Sequence, residues 1–360
     1  MSTKMRAEVF PAGEFLADEL YERGWTQAEF AEILERPAQF VSEIISGKKE
    51  ITRDSAAQIG AALGTTAEMW LNLQDAFHLW RQSQDEQTRD RLDDVRLRAR
   101  LKELAPVSVL VRRGIIKSVD LRDQAQELRK LYRMDKLTDC PAQQIAARRT
   151  NQSEQLTPTQ LAWTACAQAR AESQETAPFS KPALEMLAPQ LSQLVRNADG
   201  FSQLPKLFAE CGLALVFVES FPASKIDGCS FVRENCQPAI ALSGRGKRLD
   251  KVLFTLLHEV AHVVLDHLGE RGLILDDPDD PQHTLGTEDD ADELASSWVL
   301  PEELPSLPSR IRADWVQQVA EAQRVHPIVL VGRLQKLGAL DWRTALVRGA
   351  PNVDAQLKLW

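Results

Sequence analysis

The stretch LLHEVAHVVLDH, Leu256 to His267, constrains the fold more than any other part of the chain. Val252, Leu253, Leu256, Leu257, Val260, Val263 and Val264 recur at helical spacing, so one helix is expected from about Arg248 to Leu268. A helix that is apolar on most of its faces is buried. His258, Glu259 and His262 ride into the core with it, and buried polar or charged groups need partners. Any fold this chain adopts must enclose that helix and satisfy those three side chains.

The spacing H-E-x-x-H supplies a solution. Residues i and i+4 lie one turn apart on the same face, so His258 and His262 can reach one ion. Neutral imidazole is a preferred zinc ligand. The intervening Glu259 can take a proton from a metal-bound water, the role of a catalytic general base. A chance match on an ordinary amphipathic helix is the plain alternative. Only six histidines occur in 360 residues, and three of them fall in these twelve.

A catalytic zinc site needs a third protein ligand and an open position. One known pattern places a third histidine six residues after the second, with a glycine three residues before it. Here those positions hold Leu268 and Leu265, and the pattern fails. His267 is one residue off and is expected at the helix end, as a capping cation or a neighbour that touches a ligand. A following helix, TEDDADELASSWVLP from Thr287, offers Glu288 and Asp292 on one face, four residues apart. Glu288 is the expected ligand and Asp292 the carboxylate that orients a ligating histidine. Asp290 is the rival ligand. These acids also suit a helix N-terminus with no metal at all.

The five cysteines are scattered and form no C-x-x-C pair, which argues against a thiolate site. No apolar run approaches a membrane span, and the N-terminus lacks the apolar core of a signal peptide. A cytoplasmic protein without a membrane partner is expected. The net charge of −9 argues against nucleic-acid binding over the whole surface, though not against a local basic face.

The expected class is mainly α with a small β-sheet (α+β). Residues 1–85 read as five short helices, opened at Thr26 by a capping box with Glu29 and closed at Gly24, Gly47 and Gly64. Phe15, Leu16, Leu20 and Tyr21 form the expected stripe of the first helix, and Phe30, Ile33 and Leu34 that of the second. Residues 86–200 read as a helical linker or middle region, charge-dense at first and then broken by prolines. The segments LALVFVE, GCSFV and PAIALSG read as strands of a small sheet. They open a metal-binding core over 201–304, followed by a helical extension over 305–360.

The second and third helices fit a helix-turn-helix, with recognition helix about Pro37 to Ser46. Gln39 can read adenine, Ser42 lies one turn on, and Lys48 and Lys49 are placed for phosphate. Against this, residues 1–85 hold 8 Lys and Arg but 14 Asp and Glu, a poor electrostatic footprint. A small protein-interaction bundle is the competing reading.

Two resemblances bear on these alternatives. The sheet, FTLLHEVAHVVLDH and E-x-x-x-D-x-L-A-x-x-W-V-L-P together resemble the ImmA/IrrE family of zinc metallopeptidases over about 200–345. Members of that family typically read H-E-x-x-H-x-x-x-H, then E-x-E-A-N-x-F-A-x-x-L-L-M-P. Counting back from Pro301, Glu288 matches the ligand glutamate and Asp292 the asparagine, while His267 matches the later histidine only with a one-residue offset. The resemblance implies a zincin-like fold, a bound Zn2+, and limited proteolysis of a regulatory or toxin-related protein. Residues 1–85 are similar to HigA-type antitoxins of the Cro/C1 (XRE) class, a match carried by VSEIISGKKEIT and TTAEMWLNLQ. ERPAQF departs from the usual G-V-S-R-Q-T and lacks a basic residue at Ala38. This resemblance implies a five-helix DNA-binding domain that dimerises on a palindromic duplex, and a toxin or other protein partner. The alternative is a non-enzymatic antitoxin or repressor whose peptidase-like part is a sensor or a partner-binding module. No tyrosine lies near the metal motif, so an arginine or His283 is the expected oxyanion helper.

Overall fold

The computed structural model describes residues 9–144, 156–269, 272–276 and 287–360. The chain forms two compact units, Met1–Arg96 and Leu97–Trp360.

The first unit begins with helices α1 (Ala12–Glu22), α2 (Gln27–Ile33), α3 (Ala38–Ile45), α4 (Arg53–Leu63) and α5 (Ala67–Gln84). Thr26 caps α2: its hydroxyl accepts from the Glu29 N–H at 3.2 Å, and its own N–H donates to Glu29 Oε2 at 2.7 Å. This reciprocal pair satisfies two amides that the helix itself cannot. The core collects Leu16, Leu20, Phe30, Leu34, Val41, Ile44, Ile59 and Trp70. Phe15, Tyr21 and Ile33, expected inside, are exposed. Each sits beside the buried stripe of a short helix, where a 100° step turns a neighbouring side chain to solvent. Gly13 lets α1 approach α3 closely, because a β-carbon there would lie 2.4 Å from the Ile44 carbonyl oxygen.

Helix α6 (Glu86–Leu104) carries the division between the units at Arg96, beyond the expected boundary at 85. From Leu97 onward the helical middle is no spacer. Leu101 and Leu104 of α6, Leu110 of α7 (Val107–Arg112), Leu128 of α8 (Leu121–Leu131), and Leu161 and Trp163 of α9 (Pro158–Glu172) share a core with the sheet.

That sheet has four strands in the order β1-β3-β2-β4: β1 (Ala214–Phe217), β2 (Gly228–Val232), β3 (Pro238–Leu242) and β4 (Leu273–Asp276). β1 and β3 are parallel, and β2 is antiparallel to both β3 and β4. The period of two sorts the side chains between faces. Ala214, Val216, Cys229 and Phe231 face the α8–α9 side. Leu215, Phe217, Ile240 and Leu242 face the other, where α10 (Leu249–Val264) lies. Helices α11 (Thr287–Trp298), α12 (Ala313–Ala322) and α13 (Pro327–Lys336) join the α10 core, so the 305–360 segment is part of this unit as well. The strand β4 was not expected from sequence. Among the described residues, no helix is long and apolar enough to cross a membrane.

Candidate metal centre

Helix α10 is buried along nearly its whole length and carries His258, Glu259 and His262 inward, with 5%, 0% and 0% of their surface exposed. Helix α11 packs against it and delivers Glu288 from its first turn. His258 Nε2 lies 3.0 Å from Glu288 Oε2 and 3.0 Å from His262 Nε2. His262 Nε2 lies 3.4 Å from the same Glu288 oxygen. Zinc ligands at 2.0–2.1 Å in a tetrahedron stand about 3.3 Å apart, so the three spacings fit one ion. The chemistry of the donors agrees. Two ring nitrogens and a carboxylate oxygen crowded so closely repel unless a proton or a cation lies among them. Asp290, the rival ligand, is exposed and stands outside this cluster.

The far sides of both rings are held. His258 Nδ1 donates to Asp292 Oδ1 at 3.0 Å, and Lys336 Nζ donates to Asp292 Oδ2 at 2.8 Å. A carboxylate only accepts, so this bond puts the ring proton on Nδ1 and leaves the Nε2 lone pair facing the cluster. His262 Nδ1 lies 3.0 Å from His267 Nδ1.

The backbone explains how His267 gets there. Helix α10 ends at Val264, and Asp266 follows with φ of 59°. The His267 N–H donates to the His262 carbonyl at 3.0 Å, and the Asp266 N–H to that of Val263 at 3.3 Å. These are the paired bonds of a Schellman turn with aspartate at the left-handed position. The turn folds the chain back and lays the His267 ring over His262, which a continuing helix would do one residue earlier. Burial, then the proximity of His262, lowers the His267 pKa.

Electrostatics suit ligation. Burial pushes His262 down, so the imidazole stays neutral and its lone pair is available. Burial pushes the Glu288 carboxyl up, but its contacts with His258 and His262 outweigh this and hold it well below the usual carboxylate range. Burial likewise raises Asp292, while the bonds to His258 and Lys336 bring it down to about 2.

Glu259 is held against the sheet. Ser230 of β2 donates its hydroxyl to Glu259 Oε2 and lies 3.1 Å from the Glu259 carbonyl oxygen. Gly228, two residues earlier on the same face, makes the room. A β-carbon there would lie 2.5 Å from Glu259 Oε1. Sequence reading missed Gly228 and Ser230. The available signal was a glycine and a serine alternating on one face of an otherwise apolar strand.

The residues expected at DNA are on the first unit and exposed. Gln39 Nε2 donates to Glu43 Oε1 at 2.7 Å, and Lys49 Nζ lies 3.4 Å from Glu43 Oε2. Ser42 and Lys48 are exposed beside them. Tyr132 is buried on the α8–α9 side of the sheet with its hydroxyl on the Leu104 carbonyl, so it is no oxyanion helper. His283 lies outside the described residues.

Comparison with known proteins adds to this geometry. The HTH-type transcriptional regulator YddM of Escherichia coli (strain K12) is 31% identical over 67 residues, covering 19% of this chain and 71% of that protein. The chain belongs to the HTH-type transcriptional regulators. Residues 213–334 of this regulator match the family model of the IrrE N-terminal-like domain, Peptidase_M78. That span contains β1 to β4, α10, α11 and the whole His258–His262–Glu288 cluster. A solved structure described as a candidate antidote protein of a plasmid maintenance system, from Nostoc punctiforme, is 36% identical, covers 25% of the regulator and 96% of its own chain, and has a TM-score of 0.22. An addiction module antidote protein of the HigA family from Coxiella burnetii is 37% identical over 20% of the regulator and 79% of its own chain, with a TM-score of 0.20.

Proposed function

We infer that this regulator binds double-stranded DNA through its first unit and is a zinc-dependent endopeptidase through its second, cleaving a regulatory or toxin-related protein in the cytoplasm. The observation that carries the enzymatic part is the convergence of His258 Nε2, His262 Nε2 and Glu288 Oε2, with Asp292 and His267 behind the two rings. These three atoms would hold Zn2+. When bound, the metal polarises a water and the scissile carbonyl and lowers the water's pKa.

The chain's own groups supply the rest. Asp292 keeps the His258 proton on Nδ1, and His267 fixes the plane of the His262 ring. Glu259 accepts a proton from the attacking water and later gives it to the leaving amine nitrogen. Ser230 stabilises the ionised Glu259 carboxylate and fixes its direction. A protein partner would lay its chain across the His258–His262–Glu288 cluster. The DNA part rests on the helix-turn-helix and on the kinship with YddM. A homodimer would place two copies of α3 on a palindromic operator, with Gln39 and Ser42 at base edges and Lys48 and Lys49 at phosphates.

A second reading has one observation in its favour. Glu259 is fully buried and engaged by Ser230, as it would be in a non-catalytic partner-binding or sensor domain. Neighbouring gene products incubated with wild type and with Glu259→Gln separate the two. Cleavage by wild type alone supports the peptidase. Equal cleavage by both removes Glu259 as general base, and cleavage by neither favours the binding domain. For the first unit, loss of any mobility shift with the gene's upstream DNA at low salt, where phosphate contacts are strongest, would count against DNA binding.

A further inference from the structure

A cavity of about 590 Å³ opens beside the metal centre, between the loop at Arg245–Arg248, the first half of α10 and α13. Cavities of this size hold a drug-sized ligand or a few peptide side chains. Its lining is cationic: Arg245, Arg248, Lys251, Arg333 and Lys336 stand against two acids, Asp227 and Asp250.

Most of these charges are already matched. Arg248 grips Asp250 with two bonds of 2.6 and 2.7 Å. Arg245 pairs with Asp227 at 3.5 Å. Lys336 bonds Asp292 and lies 5.4 Å from the centre of the Phe254 ring. Lys251 and Arg333 have no ion-pair partner among the described residues. Two uncompensated cations lining one cavity, with Phe254 and Trp342 also in its lining, suit an anion carried on an apolar stem.

The position of the cavity says which anion. Phe254 lies one helical turn before His258, and their rings are 6.5 Å apart. Lys336 touches Asp292, which holds His258. The cavity is therefore a lateral extension of the metal centre, within a side chain's reach of a peptide lying across it. We propose that it is a specificity subsite for an acidic residue of the polypeptide substrate, with Lys251 and Arg333 binding the carboxylate. The assignment rests on the peptidase reading above for its substrate, but not for its binding chemistry.

The test measures binding and cleavage apart. Three fluorescein-labelled peptides of one sequence, differing only in a central Glu, Gln or Lys, are titrated by anisotropy into the zinc-loaded full-length protein. The Glu peptide is expected to bind roughly tenfold tighter than the Gln peptide, with the Lys peptide weakest. In the Lys251→Ala, Arg333→Ala double variant that preference should vanish. Both side chains point into solvent-connected space, and unchanged thermal unfolding and zinc content confirm that the variant folds. Equal binding of all three peptides, or a preference that survives the double variant, overturns the proposal. Displacement of the Glu peptide by inorganic phosphate at equal concentration also overturns it, since the cavity would then be a small-anion site. Mass spectrometry of a peptide library digested by the same protein tests the peptidase reading separately. Cleavage without acid preference sinks the subsite alone, and acid-selective binding without cleavage sinks the peptidase alone.

Discussion

His267 places its Nδ1 3.0 Å from the Nδ1 of His262, although the two residues are five apart and the helix between them has ended. The left-handed Asp266 makes this possible. Partners that hold a ligand's second nitrogen typically change metal affinity by about ten- to a hundredfold. His267→Ala should therefore weaken zinc binding by about that factor, measured by chelator competition. Asp266→Gly keeps the left-handed residue and should leave affinity within about threefold of wild type. Unchanged affinity in His267→Ala would reduce the contact to coincidence.

Asp292 should behave as an acceptor and as a charge, and substitutions can separate these roles. Asp292→Asn keeps an oxygen for His258 Nδ1, and should retain zinc better than Asp292→Ala. The charge has a pH signature in the metal-free protein. The folded-state pKa of about 2 lies below the ordinary 3.8, so the stabilisation is present in full above about pH 4 and disappears as pH falls toward 2. Acid unfolding of Asp292→Asn should lack this component. Superimposable acid profiles for the two proteins would contradict the assignment.

Gly228 and Ser230 predict opposite kinds of damage. Gly228→Ala drives a β-carbon into Glu259 Oε1, and should lower the unfolding temperature as well as activity. Ser230→Ala should fold and bind zinc normally while kcat falls and KM holds, and Ser230→Thr should restore part of the rate. A loss of zinc in Ser230→Ala would mean that the hydroxyl supports the helix rather than the carboxylate.

On the first unit, Glu43 holds both Gln39 and Lys49 and adds a negative charge to the proposed DNA face. Glu43→Gln should tighten operator binding about three- to tenfold at low salt. Lys48→Ala should weaken it for all sequences alike and reduce the salt slope by about one. Weaker binding in Glu43→Gln would move the interface off this helix.

The cysteines report on the middle helices. Cys140 and Cys236 are exposed, whereas Cys166 and Cys229 are buried where α9 meets the sheet. Burial pushes Cys166 up to about 12 and Cys229 well above its ordinary value. Iodoacetamide at pH 8 should label Cys140 and Cys236 in the native protein, and Cys166 and Cys229 only after denaturation. Native labelling of Cys229 would mean that α9 does not cover the sheet.

Legibility followed the range of the interaction. His258, Glu259 and His262 could be read because helical periodicity fixes their relation within one turn. Thr26 and Glu29 could be read for the same reason. Glu288 and Asp292 were legible as a pair four apart, but only packing of α11 on α10 sets Glu288 rather than Asp290 against the histidines. Ser230, Gly228 and Lys336 are joined to the site by tertiary contacts alone, and the polar face of β2 does not say what it meets. His267 was legible as a neighbour of a ligand, but its one-residue offset was not explained, because spacing rules assume that a helix continues and Asp266 ends it. The role of the middle helices was not legible because their apolar residues pack on a sheet distant in sequence.

The most direct measurement is zinc per chain in purified wild type, Glu259→Gln, His258→Ala and Glu288→Ala. The three-ligand centre predicts about one zinc in the first two proteins and a loss of at least tenfold in affinity in the last two. Full zinc in Glu288→Ala, or no stoichiometric zinc in wild type, would contradict it.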